Sequence, residues 1–493
     1  MLFPPGEDLR AKGVSGTLIL GGTQAVRLVF QIVSVVLLAR LLEPEHFGLF
    51  AMVTPVVALA TLVGDLGIGQ ALITAKTIRQ SQASTLFWCN MAIATLLAVL
   101  LVLLAPLIAE FFGEPDVAPL VVALSASVLL SGVATQHLSV LNRGLRFAAI
   151  AAIETSAAAI SLAVALGLAL IYPGPWALVG AVIVSSLVVS IGSWLAAGWV
   201  PSRPGPFADV AAMLRFGTGV TGFNLANFVA RNADDIIIGR VAGSAMLGAY
   251  DRAYKLLLLP LEQVSRPIGR VLLPILSQLV EQPERYRAAY LRTVRQIMLV
   301  TLPGVVVLLM EAERLVPLLL GEGWEEAIVI LQWLAIAGLH QPLTTTIGWL
   351  FLSQQRSDEF AFWGIVNGAT VLAAFLFGIT FLGGAVGVAQ AYALTDALVL
   401  APVLYAFVGR KGPVKAGDLY RVALQCLFAG GAAAVALLWW GGFAPDGGGL
   451  REILHLLASV ALAYLAATLA TALFPQGRRS IAESLSLVRG VLT

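Results

Sequence analysis

Apolar stretches of 20 residues or more recur along this chain, with only short polar breaks between them. A helix of about 20 apolar residues crosses the roughly 30 Å hydrocarbon core of a bilayer. Only 12% of the 493 residues are charged, whereas a soluble domain carries about 25%. The chain is therefore predicted to be an all-α integral membrane protein. Fourteen transmembrane helices are predicted, at 16–39, 47–73, 85–112, 117–141, 148–171, 176–199, 216–240, 246–276, 293–320, 327–352, 361–382, 385–408, 420–441 and 451–474.

Lysine and arginine are concentrated in alternate connections between these spans. One set of connections contains Lys76, Arg143, Arg203, Arg285 and their basic neighbours, whereas the intervening ones read EPEH, GEPD and GEGWEE. Cytoplasmic loops retain Lys and Arg. An even number of spans with both termini in the cytoplasm satisfies this pattern.

The chain also contains an internal repeat. A shift of 200 residues superposes 27–73 on 227–273 and aligns Arg40 with Arg240 and Gly48 with Gly248. Six predicted spans separate the copies, and an even number makes them parallel, related by an axis along the membrane normal. We expect two six-helix lobes around a central cavity. The predicted domains are an N-terminal lobe, a C-terminal lobe and two further spans with a basic cytoplasmic tail, at 1–200, 201–412 and 413–493.

Ionisable residues are frequent within three predicted spans, where a charge at mid-bilayer costs roughly 2.5–3.5 kcal/mol. At about 100° per residue, the polar residues of each span fall within an arc of about 80–100°. Each helix therefore presents one polar stripe and one apolar back, which is typical of walls around a wet cavity. The stripes contain Thr23, Arg27, Gln31 and Ser34; Asn224, Asn227, Arg231, Asp234 and Asp235; and Arg252, Lys255, Glu262, Arg266 and Arg270.

These charges have a second interpretation, in which they only pair and hold helices together, as Arg231 and Asp234 could at a spacing of three residues. The eighth span favours anion binding instead, because four basic residues there face only two acids, Asp251 and Glu262. Elsewhere, Glu154 and Asp396 are isolated intramembrane acids. Each could serve a proton relay or pair with an arginine, and both readings stay open. For His137 and His340 we expect a hydrogen-bonded packing role, with proton activity as the alternative.

Several chemistries are excluded by the sequence. It contains no G-x-x-x-x-G-K-[ST], no H-E-x-x-H or Cys/His cluster and no G-x-S-x-G, so ATP binding by a P-loop, a metal site and an α/β-hydrolase site are not expected. A net charge of +2 gives no case for nucleic acid. The predicted external loops are too short for a glycosyltransferase or ligase site. The sequence favours a transporter without cofactor or metal, and not an enzyme.

Two segments resemble polysaccharide exporters of the multidrug/oligosaccharidyl-lipid/polysaccharide flippase superfamily, in the Wzx-type branch that handles exopolysaccharide and colanic-acid-like repeat units. They are LLARLLEPEHFGLFAMVTPVVALATLVGDLGIGQALI from residue 37 and FGTGVTGFNLANFVARNADDIIIGRVAGSAMLGAYDRAYKLLLLPLEQVSRPIGRVLLPILSQL from residue 216. The resemblance covers about residues 14–405. It implies two lobes arranged as a V in the bacterial inner membrane. It also implies alternating access for an oligosaccharide on undecaprenyl pyrophosphate, beside polysaccharide polymerase and chain-length proteins.

Guanidinium groups bind pyrophosphate oxygens in a bidentate manner, so the resemblance gives the stripes a substrate. The expected headgroup ligands are Arg27, Arg231, Arg252, Lys255, Arg266 and Arg270, with Asn224 and Asn227. The acids expected to pair with them in the empty cavity, or to exchange a proton or cation, are Asp65, Asp234, Asp235 and Glu262. The alternatives are a peptidoglycan-precursor flippase, a drug–cation antiporter, and a polymerase or ligase for lipid-linked sugars.

Overall fold

A computed structural model describes residues 9–65, 78–211, 232–442 and 449–492, with a few isolated positions between these ranges. Every regular element described there is helical, as the hydropathy pattern predicts. The α-helices, in chain order, are α1 (Leu9–Leu41), α2 (Pro44–Asp65), α3 (Gln80–Phe112), α4 (Val117–Arg143), α5 (Phe147–Ile171), α6 (Trp176–Ala197), α7 (Ala233–Gln278), α8 (Pro283–Met310), α9 (Ala312–Leu320), α10 (Glu325–Gly338), α11 (Gln341–Ser353), α12 (Ser357–Phe377), α13 (Gly384–Thr395), α14 (Ala401–Val408), α15 (Ala416–Gly441), α16 (Leu450–Ala472) and α17 (Pro475–Leu492). Two π-helical segments, Gly378–Gly383 and Asp396–Leu400, connect α12 to α13 and α13 to α14.

Within the described ranges, ten helical stretches are long and apolar enough to span a membrane, and the bent pair α10–α11 makes eleven. This number is three fewer than the fourteen predicted spans, and each of the three has its own cause. The span 216–240 lies largely outside the described residues, and 246–276 is helical but carries too many charges for the apolar criterion. The spans 361–382 and 385–408 form one helical stretch, Ser357–Val408. The number fourteen therefore stays a prediction.

The predicted ninth span, 293–320, is not one continuous helix. The chain leaves α-helical geometry at Glu311 (φ −107°, ψ 15°), which separates α8 from α9. Glu311 is 2% exposed, and its carboxylate accepts hydrogen bonds from Ser459 Oγ (2.8 Å) and Arg314 Nη1 (2.7 Å). His455 Nε2 lies 3.8 Å from the same carboxylate. A hydropathy pattern does not reveal this break, because the apolar residues continue on both sides of it.

The chain divides into two compact units, Met1–Gly248 (unit 1) and Ala249–Thr493 (unit 2). The predicted lobes, defined by the sequence repeat, remain a prediction. In unit 1, α4 packs against α2, α3 and α6, and α5 packs against α1 and α6. The α3 helix ends at Gly113, whose φ of +74° places it in the left-handed region. Its backbone N–H donates to the carbonyl of Ala109, which satisfies one of the terminal carbonyls of the helix.

The α7 helix is kinked at Gly243, whose φ is +84°. Two glycines allow backbone contact between α2 and the residues of α7 that follow this kink, all within unit 1. A Cβ atom on Gly48 would lie 1.6 Å from the carbonyl oxygen of Ser244, and one on Gly248 would lie 1.8 Å from the carbonyl oxygen of Pro44. Only glycine permits this approach, as at close helix pairs in membranes. The contact is reciprocal under the 200-residue shift, because Gly48 corresponds to Gly248 and Pro44 to Ser244. Reciprocal contacts of this kind are typical of a local two-fold relation.

Unit 2 is organised around α8, which packs against α10, α11, α15, α16 and α17. Its apolar face contributes Val294, Met298 and Leu302 to a buried cluster that α11, α14, α15 and α16 complete. Near the N-terminus of α8, Arg287 forms an ion pair with Asp418, a residue in the first turn of α15. Asp418 also accepts a hydrogen bond from the backbone N–H of Lys415 (3.1 Å). The paired charges hold the start of α15 against α8.

Candidate functional site

A polar cavity lies inside unit 1, on one face of α1. Its volume is about 250 Å³, and a water molecule in the liquid occupies about 30 Å³. Gln24, Arg27, Gln31 and Ser34 line it from α1, and Ser161 lines it from α5. The α1 residues are spaced by three or four positions, which places them on one helix face. Three of them belong to the polar stripe predicted for the first span.

Arg27 is paired with a carboxylate of the same unit. Its Nη1 donates to Glu154 Oε2 over 2.5 Å, and the two side chains are 43% and 40% exposed. Of the two readings left open for Glu154, the structure shows pairing with an arginine. The pair adds no net charge to the cavity wall, and the contact with Glu154 uses one of the five N–H donors of the guanidinium.

A second cluster of charges lies on α7, at the start of unit 2. Asp251 accepts hydrogen bonds from Arg252 Nε (3.0 Å) and Nη2 (2.6 Å), and its other oxygen lies 2.8 Å from Lys255 Nζ. Arg252 is only 7% exposed, whereas Lys255 is exposed. One carboxylate therefore contacts two of the predicted headgroup ligands, and the local charge of the three groups is +1. The Asp251–Lys255 spacing of four residues is the signal that sequence reasoning could have used.

The exposure of the other predicted residues varies. Arg270 is exposed, Asp65, Asp235 and Glu262 are partly buried, and Asp234 is buried. The Asp65 carboxylate lies 3.4 Å from the backbone nitrogen of Gly69. The predicted ligands that fall outside the described residues are Asn224, Asn227, Arg231 and the side chain of Arg266. Among the residues that the structure does describe, no group of His, Cys, Asp and Glu could hold a metal ion.

Relatives of known sequence are polysaccharide biosynthesis and transport proteins. The "Lipopolysaccharide biosynthesis protein WzxC" of Escherichia coli is 28% identical over 427 residues, 85% of this chain and 85% of its own length. The "Succinoglycan biosynthesis transport protein ExoT" of Rhizobium meliloti is 28% identical over 347 residues, 70% of each chain.

The fold is similar to that of a solved flippase, described as "Lipid II flippase MurJ, inward closed conformation". The TM-score is 0.71 at 13% sequence identity, over 92% of this chain and 98% of the other. The likeness at this identity concerns the fold alone. Residues 37–329 match the family described as "Polysaccharide biosynthesis protein". That match spans more than half of the sequence, and the chain therefore belongs to the polysaccharide biosynthesis protein family.

Proposed function

We propose that the protein is a flippase for an oligosaccharide repeat unit on undecaprenyl pyrophosphate. It moves the lipid-linked sugar from the cytoplasmic to the periplasmic leaflet of the inner membrane, for assembly of exopolysaccharide, lipopolysaccharide or capsule. The observation that carries the proposal is the retention of charge inside otherwise apolar helical units, at Arg27–Glu154 and at Asp251, Arg252 and Lys255. Charged groups are costly within a bilayer, and a path for a phosphorylated headgroup supplies a reason to keep them. The names of the relatives are consistent with it.

In this proposal the headgroup replaces carboxylates that neutralise the cations in the empty protein. A pyrophosphate oxygen takes the place of Asp251 at Lys255 and Arg252, and the place of Glu154 at Arg27. Asp251 and Glu154 remain part of the chain, so the bound headgroup makes the site more negative by its own charge. Bidentate contacts from the guanidinium groups then compensate the lost hydration of the phosphates. Alternating access of the two lobes would expose the site to each leaflet in turn.

Arg270 is the most informative residue for a test. It is exposed, and no carboxylate lies within ion-pair distance of it among the described residues. We expect Arg270→Glu to reduce surface polysaccharide at least about tenfold, because bringing like charges into contact costs roughly several kcal/mol. The measurement is surface polysaccharide per cell, normalised to the amount of the protein in the membrane. Arg285→Glu, at an exposed arginine at the start of α8, is the matched control and should retain wild-type output.

The leaflet on which the lipid-linked oligosaccharide accumulates distinguishes this proposal from the alternative functions. In a deletion strain, lipid-linked oligosaccharide should accumulate on the cytoplasmic leaflet, where an impermeant glycosidase or lectin added to spheroplasts cannot reach it. Accumulation on the periplasmic leaflet would instead indicate a polymerase or ligase. A deletion that stops growth would indicate a peptidoglycan-precursor flippase. Unchanged polysaccharide in both the deletion strain and Arg270→Glu would contradict the proposal.

A further inference from the structure

An imidazole and a carboxylate meet in unit 2, within two predicted spans. His340 Nε2 lies 2.9 Å from Asp396 Oδ2, and the two side chains are 15% and 14% exposed. Their positions are near the middle of the predicted spans 327–352 and 385–408. No arginine or lysine forms an ion pair with either side chain among the described residues. Asp396, for which a relay or an arginine partner was left open, therefore has a histidine as its partner.

Both residues lie where a helix departs from α-helical geometry. His340 caps α11 at the junction with α10, where the helix axis bends by 43°. Asp396 is the first residue of the π-helical segment Asp396–Leu400. The α10 helix packs against both α13 and this segment. Breaks and π-bulges are frequent at functional sites, because their backbone geometry can change locally. The hydrogen bond thus joins two deformable points on neighbouring elements.

The other ionisable groups near the pair are tyrosines. Tyr405 of α14 and Tyr290 of α8 belong to the buried cluster that also contains Leu400, the last residue of the π-helical segment. Tyr392 lies one helical turn before Asp396 on α13. The charged residues of the remaining elements packed here lie toward helix ends or in the first half of α8. They are Glu284, Arg285, Arg287, Arg292 and Arg295 on α8, Glu313 and Arg314 on α9, Glu325 and Glu326 on α10, and Asp358 and Glu359 on α12.

The number of protons on the pair determines its charge. With one proton, the pair is neutral, either as imidazolium with carboxylate or as imidazole with carboxylic acid. Loss of that proton to water leaves neutral imidazole beside the carboxylate. The pair then has a charge of −1 and no ionic attraction. A net charge in apolar surroundings is unfavourable, so this step favours separation of the two side chains and access of water.

We propose that the His340–Asp396 pair is a proton-binding site whose occupancy controls the bend between α10 and α11. The proton is then the coupling ion for transport, a role that rests on the proposed flippase function. The binding of the proton and the change in the bend do not depend on that function and can be tested without a substrate.

The first test follows the histidines directly. The chain has four, so the imidazoles of ¹⁵N-histidine-labelled full-length protein in lipid nanodiscs can be assigned with single His→Gln variants. We expect the His340 signals to change between pH 5 and 8.5. In Asp396→Asn the midpoint of that change should move to lower pH, because the substitution removes an opposite charge within hydrogen-bonding distance. A His340 signal that does not change, or an unmoved midpoint, would overturn the proton site.

His137 provides an internal control, because it is buried in unit 1 and forms no ion pair with a carboxylate of the described residues. Its Nδ1 lies 2.9 Å from the carbonyl oxygen of Val133, and its ring stacks on Trp194 with centroids 4.3 Å apart. Its signals should be identical in wild type and Asp396→Asn. A change there would show that the substitution disturbs the fold, and the comparison would then use His340→Gln with Asp396 ¹³C-carboxyl shifts as the readout.

The second test measures the bend. Spin labels at Val329 and Leu352, both exposed, report the distance across the α10–α11 junction after replacement of Cys89 and Cys426. We expect the distance distribution to differ between pH 5 and 8.5 and to be independent of pH in His340→Gln. A distribution that is insensitive to pH in the parent protein would overturn control of the bend. If polysaccharide output does not depend on this protein, the flippase proposal fails. Both tests would still show whether the pair binds a proton and whether that proton controls the bend.

Discussion

Substitution of Gly48 by alanine is expected to destabilise the protein strongly. The new Cβ would lie 1.6 Å from the carbonyl oxygen of Ser244, and the next two nearest atoms also belong to the Ser244 backbone. No side-chain rotation can relieve this overlap, so α2 and residues 244–248 of α7 must move apart by roughly 2 Å to reach normal contact distance. Overpacking typically costs about 1–3 kcal/mol and occasionally more. We expect the upper end, measured as a lower midpoint of thermal unfolding in detergent.

Gly167→Ala is the matched control for this prediction. Gly167 also lies inside a helix, but a Cβ there has no atom within 4 Å. Alanine is the better helix former by about 0.5–1 kcal/mol, so this variant should be as stable as wild type or slightly more stable. Gly248→Ala should resemble Gly48→Ala, and the double variant should cost less than the sum, because the first substitution already separates the same backbones. Additive costs would contradict the reciprocal contact.

Substitution of Glu311 by alanine is the second change with a large expected effect. Its carboxylate is 2% exposed and accepts from Ser459 and Arg314, with His455 at 3.8 Å. Removing one partner of a buried charged network costs about 3–5 kcal/mol, because the remaining polar groups lose their compensation. The contact to α16 should weaken in particular. We therefore expect a lower unfolding midpoint, together with faster proteolysis or hydrogen exchange in 450–472 than elsewhere in unit 2.

Two further variants serve as controls for the second prediction. Glu313→Ala removes an exposed carboxylate from the same helix end, and it should leave the unfolding midpoint unchanged within about 0.5 kcal/mol. Glu311→Gln keeps an acceptor for Ser459 while removing the charge, so its cost should be intermediate. Equal stability of Glu311→Ala and Glu313→Ala would show that the buried carboxylate is not structurally important.

Helices are the part of this protein that sequence reasoning predicts well. The predicted span 148–171 corresponds to α5 (Phe147–Ile171), and 117–141 corresponds to α4 (Val117–Arg143). Apolar content and length are local properties, so a window of residues is sufficient to recognise them. The break at Glu311 and the bend at His340 were not predicted, because each depends on a side-chain partner from a distant helix.

The candidate site was likewise predictable from the sequence only in part. The polar face of the first span follows from residue spacing, and the cavity beside α1 contains Arg27, Gln31 and Ser34 from that face. In most cases the spacing of residues did not show which acidic and basic side chains form pairs. Arg27 meets Glu154 across 127 positions of sequence, and His340 meets Asp396 across 56. The Asp251–Lys255 pair is the exception, since four residues on one helix are enough to bring the two groups together.

The sequence by itself determined that this chain is an all-helical membrane protein with charge retained inside its apolar helices, and it indicated the family. The first conclusion depends on composition and periodicity, which tertiary contacts do not alter, and the family resemblance depends on the two segments that begin at residues 37 and 216. Only the tertiary structure decided that Arg27 is neutralised by Glu154, that Glu311 joins α8 to α16, and that His340 and Asp396 form one pair. The physical reason is that ion pairs and buried hydrogen bonds form between whichever helices pack together, and helix packing is not encoded within any single span.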